Sequence, residues 1–302
     1  MFYEKLCGVL APDQIKTDED MGRHTTFRTG GTADYYVEPG NKSELAAVLR
    51  LCRLEDMPYY IVGNGSNLLV SDRGYHGVIV AMGHRAWSDI RVEGTRIRAG
   101  AGALLSAIAK HALKASLTGL EFAAGIPGTL GGAVVMNAGA YGSEMKNVLA
   151  SVTVLTTEGG AMTIGAPDLE LGYRTSCILK KGYVVLEAEL ELDNGSQEKI
   201  RAAMDDLASQ RKSKQPLEYP SAGSTFKRPE GYFAGKLIQD AGLRGFMVGG
   251  AQISEKHCGF VINRDHATAA DVMNLCREVQ RRVYETAGVR MEMEVKTLGE
   301  FD

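Results

Sequence analysis

The apolar residues change their spacing along the chain, and each change marks an element. Phe2, Leu6, Val9 and Leu10 recur with helical period, and Leu45, Val48, Leu49 and Cys52 line one face of a second helix with Ser43 as its N-cap. The runs YYIV at 59–62 and GVIVA at 77–81 predict strands, with GNGSNLLVSD between them. IRVEGTRIRAG predicts a hairpin turning at Glu93 and Gly94, and Leu104, Leu105, Ile108, Ala112 and Leu113 predict the helix after it. SVTVLTTEGGAMTI reads as a second hairpin. In YVVLEAELELD the residues Val184, Leu186, Ala188, Leu190 and Leu192 alternate with Glu187, Glu189, Glu191 and Asp193, the pattern of a strand with one face in water.

DNGS at 193–196 is the strongest boundary signal, a turn whose serine can cap a helix carrying Ile200, Ala203, Met204 and Leu207. It divides the chain into residues 1–195, with a subdomain break near 83, and residues 196–302. Beyond it, a glycine- and proline-spaced loop covers 215–231, a helix carrying Leu237 and Ile238 ends at Gly242, and GFVIN predicts a strand. Thr268, with Asp271 three residues on, opens a long helix through Val272, Leu275, Val279 and Val283. RMEMEVKTL closes as a strand able to return to the first region. The mixture is that of an α+β fold, and 302 residues exceed the usual single core.

Composition then removes function classes. A hydrophobic share of 44%, a charged share of 24% and only 8 prolines describe a globular chain, not a disordered or fibrous one. A net charge of -3 with interspersed signs leaves no basic stripe for nucleic acid, so small molecules are the expected partners. No apolar run approaches the ~18 residues of a membrane span, and MFYEKLCGVLAPDQIKTDED has acidic residues where a signal peptide has its apolar core, so a cytoplasmic protein is expected. The five cysteines include no C-x-x-C pair and the six histidines no H-x-x-x-H pair, which points to reduced, mostly buried thiols and no metal.

Candidate chemistry enters with GIPGTLGGAVVMNAGAYG at 125–142, rich in glycine and devoid of Lys, Arg, Asp and Glu. Such clusters mark tight turns or the close approach of another group to the main chain, and any anion held there must be held by amide N–H groups. VGNGSNLLV leads a strand into Gly63 and Gly65, but Leu68 stands where G-x-G-x-x-G needs its third glycine, and neither loop has the Gly-Lys-Ser/Thr of a P-loop. Either loop alone is explained by turns between strands. With RHTTFRTGG at 23–31 there are three anion-friendly segments, and successive backbone amides can cradle a pyrophosphate without lysine. Asn64, Ser66, Asn67 and Asn137 add neutral donors for a ribose or a ring edge.

HTTFRTGG, GNGSNLLVSD, GIPGTLGGAVVMNAGAYG, LGYRTS, SAGSTFKRP, GKLIQDAGLRG and MEVKTLGE, in this order over nearly the whole chain, together resemble the UDP-N-acetylenolpyruvoylglucosamine reductases, flavoproteins of peptidoglycan precursor synthesis. The resemblance implies a FAD-binding fold of the vanillyl-alcohol-oxidase (PCMH) type, in two subdomains, and a C-terminal α/β substrate domain. It implies noncovalent FAD, NADPH as reductant, and UDP-N-acetylglucosamine enolpyruvate as the substrate reduced to UDP-N-acetylmuramate. It places FAD against Arg28, Thr29 and Gly30; against Gly63, Asn64, Gly65, Ser66, Asn67 and Leu68; and against Gly125, Ile126, Pro127, Gly128, Gly131, Gly132, Asn137, Gly139, Ala140 and Tyr141.

In the reaction so implied, a hydride passes from NADPH to FAD and on to the terminal vinyl carbon of an enol ether, and charge develops on the adjacent carbon and its carboxylate. That needs a fixed cation or strong donor at the carboxylate and an acid that protonates carbon. Arg174 in GYRTS matches the family's arginine, whose planar, permanent charge suits an enediolate. Ser224 in SAGSTF matches its proton donor, although an unperturbed hydroxyl is a poor acid and needs a polarising neighbour. Glu292 and Glu294 lie two apart on the predicted strand and share a face, so alternation leaves both open. The family motif puts its glutamate directly before the valine of EV, which selects Glu294 with Glu292 as the alternative. Candidates for the substrate diphosphate are Lys214, Lys227, Arg228 and Lys236. No tyrosine segment is inserted between YVVLEAELEL and SQEKI, as in the shorter of the family's two forms. The competing readings are a flavin-dependent oxidase of the same fold class, for which no tethering histidine or cysteine motif is present, and a nonredox sugar-nucleotide transferase or binding module, which would be colourless.

Overall fold

The computed structural model describes residues 1–83 and 85–301. The chain forms two compact units: Met1–Lys16, Tyr36–Asn64 and Val78–Arg211 make the first; Thr17–Tyr35, Gly65–Gly77 and the chain from Lys212 onward make the second.

The first unit is built on a five-stranded antiparallel sheet in the order Ala161–Gly165, Leu149–Leu155, Val184–Glu191, Arg96–Gly100, Ile90–Glu93. Both predicted hairpins are present, and the alternating strand is their centre. Ala188 and Leu190 are buried with Ile97, Ala99, Val152 and Val154. On the wet face Glu189 takes Arg96 and Arg98 at 3.0 Å each, and Glu191 takes Arg96 at 2.5 Å. Helices Leu105–Lys114 and Leu130–Val135 pack on strands of this sheet. Leu104, expected on the first helix's face, is its exposed N-cap.

Helix Lys42–Leu54 buries Leu45, Val48, Leu49 and Cys52 as expected, but Asn41 caps it, its side chain taking the Glu44 amide at 3.0 Å. Ser43 already lies inside the helix. The chain after the DNGS turn stays with the first unit. Asp193–Asn194 pairs antiparallel with Leu117–Thr118, Gln197 Nε2 donates to Leu113 O at 3.1 Å, and Ile200 is buried. Helix Gln197–Lys214 therefore starts on this unit, and the units divide near its C-terminal end, at Arg211, rather than at residue 195. Ala203 is exposed and Met204 and Leu207 only half-buried, where the sequence pattern expects an apolar face.

In the second unit, strands Met247–Val248, Ala251–Ile253 and Val261–Asn263 form an antiparallel sheet, and helix Ala269–Ala287 packs on it. Its Val272, Leu275, Cys276, Val279 and Val283 share one apolar cluster with Ile238, Ile253 and Val261, and Phe27 and Leu69 join it from the two early segments. That burial explains why this unit is discontinuous in sequence. The closing strand is shorter than predicted: Lys296–Leu298 pairs in parallel with Leu68–Val70, while residues 290–295 carry only an isolated bridge from Met293 to Phe226.

All five cysteines are free thiols, exposed at Cys7 and buried elsewhere; burial pushes Cys52 up to about 11 and Cys276 to about 12, which makes them inert at neutral pH. Among the described residues no helix is long and apolar enough to cross a membrane, and no group of three or more His, Cys, Asp or Glu could hold a metal ion.

Thr268 and Asp271 form the expected capping box, and Asp72 caps the same helix again, Oδ1 taking Ala269 N and Oδ2 taking Ala270 N at 2.8 Å each. These amides have no partner within the helix, and the carboxylate lies at the positive end of its dipole. D72A should lower stability by about 1 kcal/mol in urea denaturation; an unchanged midpoint would mean that water replaces the carboxylate without loss.

Candidate active site

Segment 125–142 folds in the first unit as a turn, the short helix Leu130–Val135, and a tight hairpin pairing Gly139–Ala140 with Ser143–Glu144. The hairpin tip, Tyr141 and Gly142, has φ of 54° and 83°, as a type I′ turn requires. Two asparagines bolt the segment in place. Asn137, fully buried with φ 44°, donates Nδ2 to Gly172 O at 3.2 Å and accepts Lys146 N at 2.9 Å. Asn64 Nδ2 donates to Pro127 O at 2.8 Å. Sequence reading offered both side chains as ligand donors; here they bind the protein's own backbone.

Several glycines answer to internal packing. A Cβ on Gly63 would lie 2.2 Å from Thr129 Oγ1, one on Gly131 3.0 Å from Ala101 Cβ, and one on Gly139 2.7 Å from Ser143 O. In the second unit a Cβ on Gly65 would lie 1.9 Å from His24 O. Gly132 differs, because a Cβ there would have no neighbour beyond its helix nearer than Thr129 Oγ1 at 3.9 Å. Its bareness serves no contact within the protein.

Arg174 stands on a turn anchored to the same segment. Gly172 and Thr175 exchange N–H···O bonds of 3.2 and 3.3 Å, leaving Tyr173 and Arg174 at the tip. Arg174 has φ 55°, a left-handed conformation more usual for glycine or asparagine. The turn is held on one side by the Asn137 bond to Gly172 and on the other by buried Ser176, whose Oγ donates to Val135 O at 2.7 Å and caps helix Cys177–Lys181 by accepting Leu179 N at 3.2 Å. Arg174 is half-buried, with its guanidinium 5.1 Å from the Tyr173 ring centre.

Ser224 and Glu294 belong to the second unit, where buried Thr225 positions both. Thr225 N donates to Gly259 O at 2.9 Å, its Oγ1 accepts Val261 N at 2.9 Å, and its carbonyl accepts Glu294 N at 2.8 Å. Ser224, next in the chain, is exposed and follows Gly223 with φ 75°. Glu294 is 9% exposed, and its carbonyl takes Asn67 Nδ2 at 3.2 Å. Glu292 is 74% exposed on a 2.8 Å ion pair with Lys227, which holds its carboxyl below the usual range. The two glutamates thus occupy different environments. Residues 290–295 are not a continuous strand, so strand alternation does not govern them.

Around Gly65 lie the other expected contacts. Arg28 is exposed with φ 55°, Gly30 has φ 127°, and Thr25 Oγ1 donates to the carbonyl of buried Thr29 at 3.2 Å. Thr26 N donates to Gly65 O at 3.2 Å, yet its buried Oγ1 has no partner among the described residues, a costly state for a hydroxyl. Of the expected diphosphate contacts, Lys227 is paired as above, Lys236 pairs with Asp240 at 2.8 Å, Arg228 stacks 4.0 Å from the Phe233 ring centre, and Lys214 is exposed. One cation escaped sequence reading. Arg211 lies against Gly125, and it continues the helical row of Ile200, Met204 and Leu207, which was the available signal.

Residues 33–165 match the family described as FAD binding domain, and residues 215–298 match UDP-N-acetylenolpyruvoylglucosamine reductase, C-terminal domain. The chain is 53% identical over 296 residues to the UDP-N-acetylenolpyruvoylglucosamine reductase of Agathobacter rectalis, covering 94% of each chain. It is 50% identical over 298 residues to that of Clostridioides difficile, covering 99% of this chain and 98% of the other. The crystal structure of UDP-N-acetylenolpyruvylglucosamine reductase from Thermus caldophilus superposes with a TM-score of 0.81 at 34% identity, over 94% of this chain and 100% of that one. Likeness of this extent, on both sequence and fold, places the chain in the UDP-N-acetylenolpyruvoylglucosamine reductase family.

Proposed function

We propose that the chain reduces UDP-N-acetylglucosamine enolpyruvate to UDP-N-acetylmuramate with NADPH through FAD, in peptidoglycan precursor synthesis, and that Arg174, Ser224 and Glu294 carry the chemistry. The observation that carries the reading is a full-length family match together with an arginine turn bolted to a charge-free glycine segment. The residues present fit FAD. The first unit offers backbone at 125–141 with Gly132 bare of internal neighbours, and Gly63 and Asn64 beside it; the second offers Arg28–Gly30, Gly65–Leu68 and the unpartnered Thr26 hydroxyl.

Bound FAD supplies hydride transfer from NADPH to the vinyl carbon. Arg174 binds the substrate carboxylate and stabilises the charge that develops there; a guanidinium fixed by a rigid turn needs no reorganisation to do so. Ser224 gives its hydroxyl proton to the adjacent carbon. Glu294, buried one residue along the neighbouring backbone, polarises that hydroxyl or steadies the enediolate. Lys214, Lys227, Arg228 and Lys236 are the candidates for the substrate diphosphate, with Lys227 and Lys236 paired to Glu292 and Asp240. An NADPH reductant and a UDP-sugar substrate set the reaction in the cytoplasm.

In the absence of oxygen, NADPH should bleach the yellow protein, and the enolpyruvyl substrate should restore its colour. Recovery with oxygen alone would favour an oxidase, and a folded protein without flavin would refute the reading. S224A should bleach with NADPH at the wild-type rate, while its recovery with substrate slows by about 10²–10⁴-fold; equal recovery rates would remove Ser224 from proton transfer. Among glycine variants, G65A should lose more than about 2 kcal/mol of stability because its Cβ meets backbone. G132A should keep or raise the denaturation midpoint of the deflavinated chain, since alanine is the better helix former, yet hold FAD more weakly, and unaltered FAD retention would place the flavin away from Gly132.

A further inference from the structure

Segment 125–142 has no charge of its own, and one cation is laid against it from another part of the first unit. Arg211, in helix Gln197–Lys214, has Cδ and Nη1 at 3.2 and 3.4 Å from the position a Cβ on residue 125 would take. A Cβ at 125 would make the Arg211 side chain give way by a few tenths of an ångström, so the bare backbone of Gly125 lets the guanidinium lie close against the segment. Arg281, Arg282 and Arg96 are each paired with carboxylates: Arg281 bonds Glu278 and Glu285, Arg282 bonds Glu278, and Arg96 bonds Glu189 and Glu191. Arg211 is half-buried and makes no ion pair or side-chain hydrogen bond among the described residues. Burial works against its charge, and the Tyr141 phenol at the far end of the glycine segment works for it. A guanidinium stays protonated regardless, so a partly dehydrated cation is left against a segment that contains no carboxylate.

We propose that Arg211 is a phosphate-binding residue, supplying the positive charge that the glycine segment lacks to a pyrophosphate oxygen of the nucleotide ligand held there. The proposal rests on the functional reading above and names a contact that the family motifs do not mark. Two phosphates fit the chemistry, the pyrophosphate of FAD and the diphosphate of the UDP-sugar. Arginine suits either, since its planar fork can donate two parallel N–H···O bonds to one phosphate.

The test uses the flavin-loaded full-length protein and its R211Q and R211K variants. FAD release on dilution is followed by recovery of flavin fluorescence, alongside KM and kcat for the enolpyruvyl substrate, at low and high potassium chloride. With FAD as the source, R211Q weakens FAD retention by about 10- to 100-fold with R211K between it and wild type, and high salt narrows the gap. With the UDP-sugar as the source, R211Q keeps its FAD and raises KM by a similar factor while kcat changes little. Should R211Q fail to fold, R211K, which keeps the charge and loses the fork, shows the same shift at smaller size. FAD retention and KM both within twofold of wild type in a folded R211Q, or in R211K if R211Q does not fold, would overturn the proposal. If the unaltered protein held no flavin, the functional reading would fall first and this proposal with it.

Discussion

The two hydrogen bonds of the buried Asn137 side chain fix the glycine segment of the first unit in place. They join the glycine segment to the Arg174 turn through Gly172 and to the backbone of Lys146. A glycine-rich, charge-free segment has high conformational entropy in the unfolded chain, and packing alone gives it little to hold. A buried amide satisfied on both its nitrogen and its oxygen is a strong constraint, because breaking either bond strands a polar group away from water. Held in this way, the segment tolerates left-handed conformations at Asn137 and Tyr141, and the attached turn tolerates one at Arg174.

The same device recurs in each unit. Arg174 is followed two residues on by buried Ser176, bonded to Val135 O; exposed Ser224 is followed by buried Thr225, bonded to Gly259, Val261 and Glu294. In both places a residue of the proposed site stands beside a buried hydroxyl that is hydrogen-bonded to backbone. Glu294 gains its place through its own amide on Thr225 and its carbonyl on Asn67.

Elements governed by local pattern were legible in the sequence. Both hairpins of the large sheet, the half-wet strand Val184–Glu191 and the Thr268–Asp271 capping box follow from alternation, turn residues and cap spacing. What failed was long-range. The DNGS turn is a true turn, but pairing of Asp193–Asn194 with Leu117–Thr118 and burial of Ile200 keep the next helix on the first unit. Ser43 and Asn41 are both good caps, and only backbone conformation decides between them. Glu292 and Glu294 could not be separated by period, because residues 290–295 carry only the isolated bridge at Met293 and form no continuous strand. Sequence left the glycines open between turns and ligand contact; Gly63, Gly65 and Gly131 also meet neighbours far away in sequence, Gly139 meets Ser143 and Glu144 across its hairpin, and Arg211 reaches Gly125 from a helix that carries no motif.

Under the proposed function these parts combine into one claim: the backbone at 125–142 is built before the flavin arrives and is to receive it without refolding. Hydrogen exchange of the full-length protein, with and without FAD, reads this directly. The amides of Leu130, Gly131 and Ala138, bonded to Ala103, Ala101 and Ala133, should be protected in the flavin-free chain, with FAD adding protection elsewhere in the segment. Free exchange across 125–142 until FAD binds, or a pattern that FAD leaves unchanged, would contradict the account.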